Sequence, residues 1–149
     1  MLPPAAGFTL DAGGGERLRF SDGEFLVRAS ADTTGGGFTI IEEIDPLDTP
    51  LHVHEREDEL FYVLEGEHVF RIGDEEHRAG PDAVVFGPRG VPHAHRRVVP
   101  RTGRFLTLTF PAGFEGFFRE LAEADRTGGA GPDDYARASR RYGITWLPT

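Results

Sequence analysis

Twenty Gly and eleven Pro divide the 149-residue chain into short runs rich in Val, Ile, Phe and Leu. Runs of that kind leave room for strands of about four to eight residues and few long helices. The pattern predicts an all-β sandwich or barrel. The expected strands are Arg17–Phe20, Glu24–Ser30, Gly37–Ile44, Leu51–His54, Glu59–Leu64, Glu67–Ile72, Glu75–Arg78, Ala83–Phe86, His93–Val99 and Arg104–Phe110. Glu65-Gly66 and Gly73-Asp74 are expected to close tight hairpins, because glycine supplies the positive φ that such turns need. Ala12–Gly15 and Thr34–Gly37 read as loops.

The pattern changes after Pro111. Phe114, Phe117, Phe118 and Leu121 recur at helical spacing with Glu115, Arg119, Glu120 and Glu123 between them, which predicts an amphipathic helix. Thr127–Gly131 ends it. Pro132-Asp133-Asp134 opens a second helix through about Tyr142, with acids at its positive end and Arg137, Arg140 and Arg141 at its negative end. Ile144–Leu147 reads as an extended tail. The division expected is a β-barrel over residues 1–110 and a short C-terminal helical appendage over 111–149, packed into the same domain.

Composition excludes several chemistries. With no Cys there is no disulfide scaffold, thiolate nucleophile or iron–sulfur cluster. With no Lys there is no Schiff-base or P-loop lysine, and every one of the sixteen cations is Arg. A net charge of −9 argues against nucleic acid, since the Arg96–Arg97, Arg101 and Arg104 group is too small to offset it. No run reaches the roughly eighteen apolar residues of a membrane span. The start, Met1-Leu-Pro-Pro, has neither a basic nor an apolar leader pattern, so a cytoplasmic protein is expected.

Four of the six His fall in two blocks. In the first, His52 and His54 stand two apart on a strand, with Cα atoms about 7 Å apart and both rings on one face. Imidazoles so placed can share a metal ion at about 2.0–2.1 Å. Glu59 leads the next strand after an acidic turn that also carries Glu55, Glu57 and Asp58. In the second block, Pro88 and Gly90 form a turn and Pro92 stiffens the entry to a strand carrying His93. Three neutral imidazoles and one carboxylate would leave a divalent ion positively charged, with room for water or substrate.

The two blocks resemble the motifs of the cupin superfamily: H-x-H, four residues, Glu, six more and Gly66, then P-x-G-x-x-H. That resemblance implies a cupin jelly-roll β-barrel with His52, His54, Glu59 and His93 as metal ligands. Glu59 is taken over Glu55, Glu57 and Asp58 because it alone keeps both motif spacings. Two positions depart from the pattern: Pro46 stands where a Gly is usual, and Arg97 where an Asn is usual. The helical ending is similar to that of small bacterial cupins related to quercetin 2,3-dioxygenase, which extends the likeness over most of the chain.

The resemblance implies one divalent transition metal ion (Ni, Mn, Co, Fe, Cu or Zn) and a small-molecule substrate, with dioxygen as a second one. A flavonol-like or enolic aromatic substrate would lose a hydroxyl proton to Glu59, the expected catalytic residue. A non-redox isomerase or lyase, or a non-catalytic ligand-binding cupin, stands as the alternative. Pairing of N-terminal strands in relatives implies a homodimer. Phe61, Val63, Phe70, Phe86, His95 and Phe105 are the expected pocket residues. His68 and His77 are expected on the surface, and Tyr142 and Trp146 are expected to pack the tail onto the barrel.

Overall fold

The computed structural model describes residues 5–99 and 102–148, so Met1–Pro4 and Arg101 of the basic group lie outside the described residues. Eleven strands and three helices follow one another along these residues. The strands are β1 (Glu16–Phe20), β2 (Gly23–Ala29), β3 (Thr39–Ile44), β4 (His52–His54), β5 (Asp58–Glu65), β6 (His68–Ile72), β7 (Glu75–Ala79), β8 (Val84–Gly87), β9 (His93–Arg97), β10 (Arg104–Phe110) and β11 (Ile144–Trp146). The helices are α1 (Ala31–Thr34), α2 (Glu115–Arg126) and α3 (Pro132–Tyr142). One sheet runs β1-β2-β3-β10-β5-β8 and the other β11-β4-β9-β6-β7, every pair antiparallel. The result is a jelly roll, within the sandwich-or-barrel class that the strand pattern predicts and as the cupin resemblance implies.

Alternation along each strand decides which side chains enter the barrel. On β5, Glu59, Phe61 and Val63 are buried, and on β10 Phe105, Thr107 and Thr109 are buried beside them. Phe61, Val63, Phe70, Ala79, Val85 and Phe105 form one apolar core. Each large side chain there contributes about 1.5–3 kcal/mol by leaving water.

Two turns differ in kind. Gly73 (φ 60°) closes a true hairpin between β6 and β7. Glu65-Gly66 does not close one, because β5 and β6 belong to different sheets; Gly66 (φ 81°) carries the chain across the barrel. That crossing is why His68, expected on the surface, is 1% exposed: β6 begins inside, with the His68 ring 5.2 Å from Phe105 and its Nε2 3.0 Å from the Glu65 carbonyl. His77 is exposed, as expected.

The C-terminal helices cap one end of the barrel. Phe114, Phe117, Phe118 and Leu121 of the α2 segment pack on Phe20, Phe25 and Ile41, forming a second apolar core. Glu115 locks the start of α2: its carboxylate accepts hydrogen bonds from Ala31 N (2.7 Å), Gly113 N (2.9 Å) and Thr39 Oγ1 (2.5 Å). Pro132 opens α3, Asp134 accepts from Gly131 N at 2.8 Å, and Gly143 (φ 72°) ends the helix. The tail then enters the second sheet as β11, pairing Ile144 with His54 and Trp146 with His52. Among the described residues no helix is long and apolar enough to cross a membrane.

Candidate metal centre

His52 and His54 leave β4 on one face, as their spacing predicts, and β9 places His93 directly opposite His52 in the sheet register. Glu59 arrives from the other sheet. It meets the imidazoles across the barrel interior, from a strand that follows β4 in the chain but is not hydrogen-bonded to it. One donor atom from each of the four residues lies within 4.8 Å of the other three. All four side chains are buried, with exposures between 1% and 7%.

The acidic turn sorts itself by geometry. Glu55 accepts a hydrogen bond from Thr145 Oγ1 at 3.0 Å, and Asp58 accepts one from Arg89 N at 2.9 Å. Glu57 lies 3.4 Å from Nδ1 of His54, on the side away from the cluster. Only Glu59 of the four reaches inward, with Oε2 2.5 Å from His93 Nε2 and 3.3 Å from His54 Nε2.

His52 and His93 are hydrogen-bonded from behind, and His54 is backed by a carboxylate. His52 Nδ1 donates to the Pro50 carbonyl at 2.8 Å, His93 Nδ1 faces the Val91 carbonyl at 3.4 Å, and His54 Nδ1 faces Glu57. Such partners fix the tautomer and leave Nε2 as the free donor, the usual arrangement behind a metal-binding His. His54 Nε2, His93 Nε2 and Glu59 Oε2 are buried with no hydrogen-bond partner outside the cluster, facing only one another. Orphaned polar atoms cost about 1–3 kcal/mol each. Their convergence fits a cation of charge two, which would satisfy them together.

Burial, reinforced by the nearby His93, pushes His52 down to about 4. Burial alone would raise Glu59, but His54 and the His93 contact outweigh it and hold the carboxylate below its ordinary range. Burial likewise opposes charge on His54, yet Glu59 and Glu57 raise it. For His52 and Glu59 these are the protonation states a divalent ion needs, whereas His54 would give up a proton on binding one.

The cluster lines a cavity of about 150 Å³ between the two apolar cores. Of the expected pocket residues, Phe61 and His95 line it. Val63, Phe70 and Phe105 lie in the core beneath, and Phe86 points outward at 52% exposure because it sits on the outer face of β8. His95 follows His93 on the same face, with its ring 5.0 Å from Phe105, and burial pushes it down to about 3. Trp146, expected only to pack the tail, forms part of the cavity wall, 5.0 Å from the His52 ring, with Nε1 donating to Ser139 Oγ at 2.8 Å. Phe114, Phe117 and Phe118 supply another wall, and the Phe114 ring lies 4.6 Å from His54. Arg97 sits at the rim, its backbone N–H on Asp48 Oδ1 at 2.9 Å.

Sequence reasoning missed Glu43 and Thr107, which also line the cavity. The signal was present in the alternation of Thr39, Ile41 and Glu43 along one face of β3, all three of them buried.

Residues 41–109 match the family model of the cupin domain. The fold is that of a cupin. Among curated proteins, quercetin 2,3-dioxygenase of Bacillus subtilis (strain 168) is 28% identical over 121 residues, 80% of this chain. The chain spans only 36% of that relative's length. Among solved structures, KdgF from Halomonas sp. superposes with a TM-score of 0.63 at 16% identity, covering 75% of this chain and 99% of its own. Streptomyces Pac13, described as a nucleoside dehydratase, gives 0.58 at 16% identity, covering 74% and 88%.

Proposed function

We propose that this cupin is a metal-dependent enzyme that holds one divalent transition ion on His52, His54, Glu59 and His93, and that it acts as a dioxygenase of the quercetinase type on an enolic or phenolic substrate. The observation that carries the metal reading is the convergence of four buried donor residues, three of which (His54, Glu59 and His93) have inward atoms with no partner outside the cluster. Likeness to a quercetin 2,3-dioxygenase over most of this chain supports the oxygenase reading. The N/O donor set suits Mn, Fe, Co, Ni, Cu or Zn alike, and redox-capable members serve an oxygenase.

A bound ion would supply a Lewis acid for an enolic oxygen and a route for electrons to dioxygen. The chain's own contribution is orientation and dryness. The Pro50 and Val91 carbonyls hold His52 and His93 in the required tautomer, while Phe61, Phe114 and Trp146 exclude water and offer flat apolar walls. A cavity of about 150 Å³ matches a single ring; an engineered cavity of about that size takes benzene, and drug-sized sites run to roughly 300–1,000 Å³. A three-ring flavonol enters only if a wall such as Trp146 moves. A second reading, a non-redox lyase or isomerase, is favoured by the additional buried carboxylate of Glu43 in the same cavity.

The test is oxygen uptake by protein reloaded separately with Mn, Fe, Co, Ni and Cu, given quercetin and the single-ring hydroxypyranone maltol. Metal-dependent uptake with either compound is expected. No uptake with any metal contradicts the oxygenase reading, and anaerobic turnover in its place supports the lyase or isomerase.

A further inference from the structure

The run Thr-Ile-Ile-Glu-Glu-Ile of β3 places two adjacent carboxylates on opposite faces of the sheet. Glu42 faces away from the barrel core and is paired, 3.4 Å from Arg104 and 4.0 Å from Arg28. Glu43 faces inward, opposite Phe25 on β2 and Phe105 on β10. Among the described residues it has no cation within ion-pairing distance, and its hydrogen bond comes from Thr107 Oγ1, which donates to Oε2 at 2.6 Å. That bond fixes the carboxyl plane and leaves Oε1 free for a ligand in the cavity that Glu43 shares with the metal cluster.

A carboxylate without a counter-charge in an apolar barrel destabilises the fold, and an apolar residue would pack there at no such cost. Groups of this kind concentrate at functional sites. Glu59 cannot serve the same purpose as easily, because its inward oxygen points into the metal cluster, facing Nε2 of His54 and of His93.

We infer that Glu43 is the proton acceptor of this site: it takes the hydroxyl proton of a small enol or phenol bound in the cavity and returns it to the product. The inference rests on the metal reading above but holds for the oxygenase and the lyase alike. In the forward step the ligand O–H bond breaks, its electron pair stays on the ligand oxygen, and the proton forms an O–H bond at Glu43 Oε1. Carboxylate becomes carboxylic acid as hydroxyl becomes oxyanion, and no electrons are transferred. Proton return reverses both changes. Glu43 suits this exchange because burial raises its carboxyl to about 7, against the Thr107 hydrogen bond and with a smaller push from Glu59. A base near the working pH exchanges protons most efficiently.

The test is a proton inventory on Co(II)-loaded protein binding maltol near neutral pH, by calorimetry in two buffers of different ionisation heat, with cobalt content measured on the same samples. Wild type is expected to release well under one proton per maltol bound, and Glu43→Gln about one, with equal cobalt. Equal release by the two proteins overturns the inference alone. Wild type that retains no cobalt overturns the metal reading and this inference with it, and wild type that retains cobalt but does not bind maltol overturns the inferred ligand class. Thr107→Val, which keeps the carboxyl and removes the bond that favours its ionised form, is expected to shift the midpoint of proton release to higher pH; an unmoved midpoint counts against the inference.

Discussion

Replacing Glu43 by Gln should stabilise the metal-free protein, and by an amount that depends on pH. The unfolded chain ionises this carboxyl near its ordinary 4.5, whereas the folded chain holds the proton until about 7. Below the unfolded value both states carry the proton and the group is neutral in its effect. As pH rises from 4.5 through 7 the folded state is progressively penalised, and above 7 the penalty is constant. At ~1.4 kcal/mol per pH unit the full penalty is about 3 kcal/mol. Gln keeps the shape, can still accept from Thr107 and never ionises. Urea unfolding of both proteins in chelator, followed by the fluorescence of the one Trp, gives the difference directly. The other buried titrating groups, His52 and His95 among them, are common to both proteins and largely cancel. The advantage of Gln should be small near pH 4.5 and grow to about 3 kcal/mol by about pH 8, equivalent to ~6–12 °C in Tm. A pH-independent difference, or a Gln variant less stable at about pH 8, would refute the argument that Glu43 is buried without compensation.

Three further outcomes follow from the packing. Glu115→Ala strands two donors, Ala31 N and Thr39 Oγ1, while Gly113 N keeps Thr39 Oγ1 as an acceptor at 3.1 Å, and it should lower unfolding stability by about 2 kcal/mol or more in urea titrations. Gly103→Ala places a Cβ 2.7 Å from His68 Cε1 at a φ of 115°, so it should lower Tm by several degrees. Trp146→Ala removes a cavity wall, so binding of quercetin should strengthen relative to maltol in a competition titration; an unchanged ratio would show that the wall does not limit ligand size.

Local pattern carried much of this protein. Turn residues and strand alternation marked the β-runs, and β10 spans the expected Arg104–Phe110. The H-x-H spacing put two imidazoles on one face because a strand repeats every two residues. What local pattern could not carry was sheet membership. Glu65-Gly66 looks like a hairpin turn, yet it crosses between sheets and buries His68, and the acidic turn between β4 and β5 crosses as well, which sets Glu59 opposite the histidines. The amphipathic stripe of α2 announced a packed helix, but which end of the barrel it caps depends on Glu115 reaching Thr39 across 76 residues of chain. Phe86 illustrates the reverse: an aromatic at an alternating position lies outside because β8 pairs with β5 in the register that turns Val85 inward.

The central claim is that His52, His54, Glu59 and His93 together bind one divalent ion. Its most direct test is to titrate metal-free protein with Co(II), following the quenching of Trp146, whose ring lies 5.0 Å from His52, and to confirm the endpoint by elemental analysis after dialysis. Wild type should saturate at one ion per chain, and His52→Ala should neither quench nor retain cobalt after dialysis. A His52→Ala protein that keeps its full complement, or a folded wild type that binds none, would contradict the account.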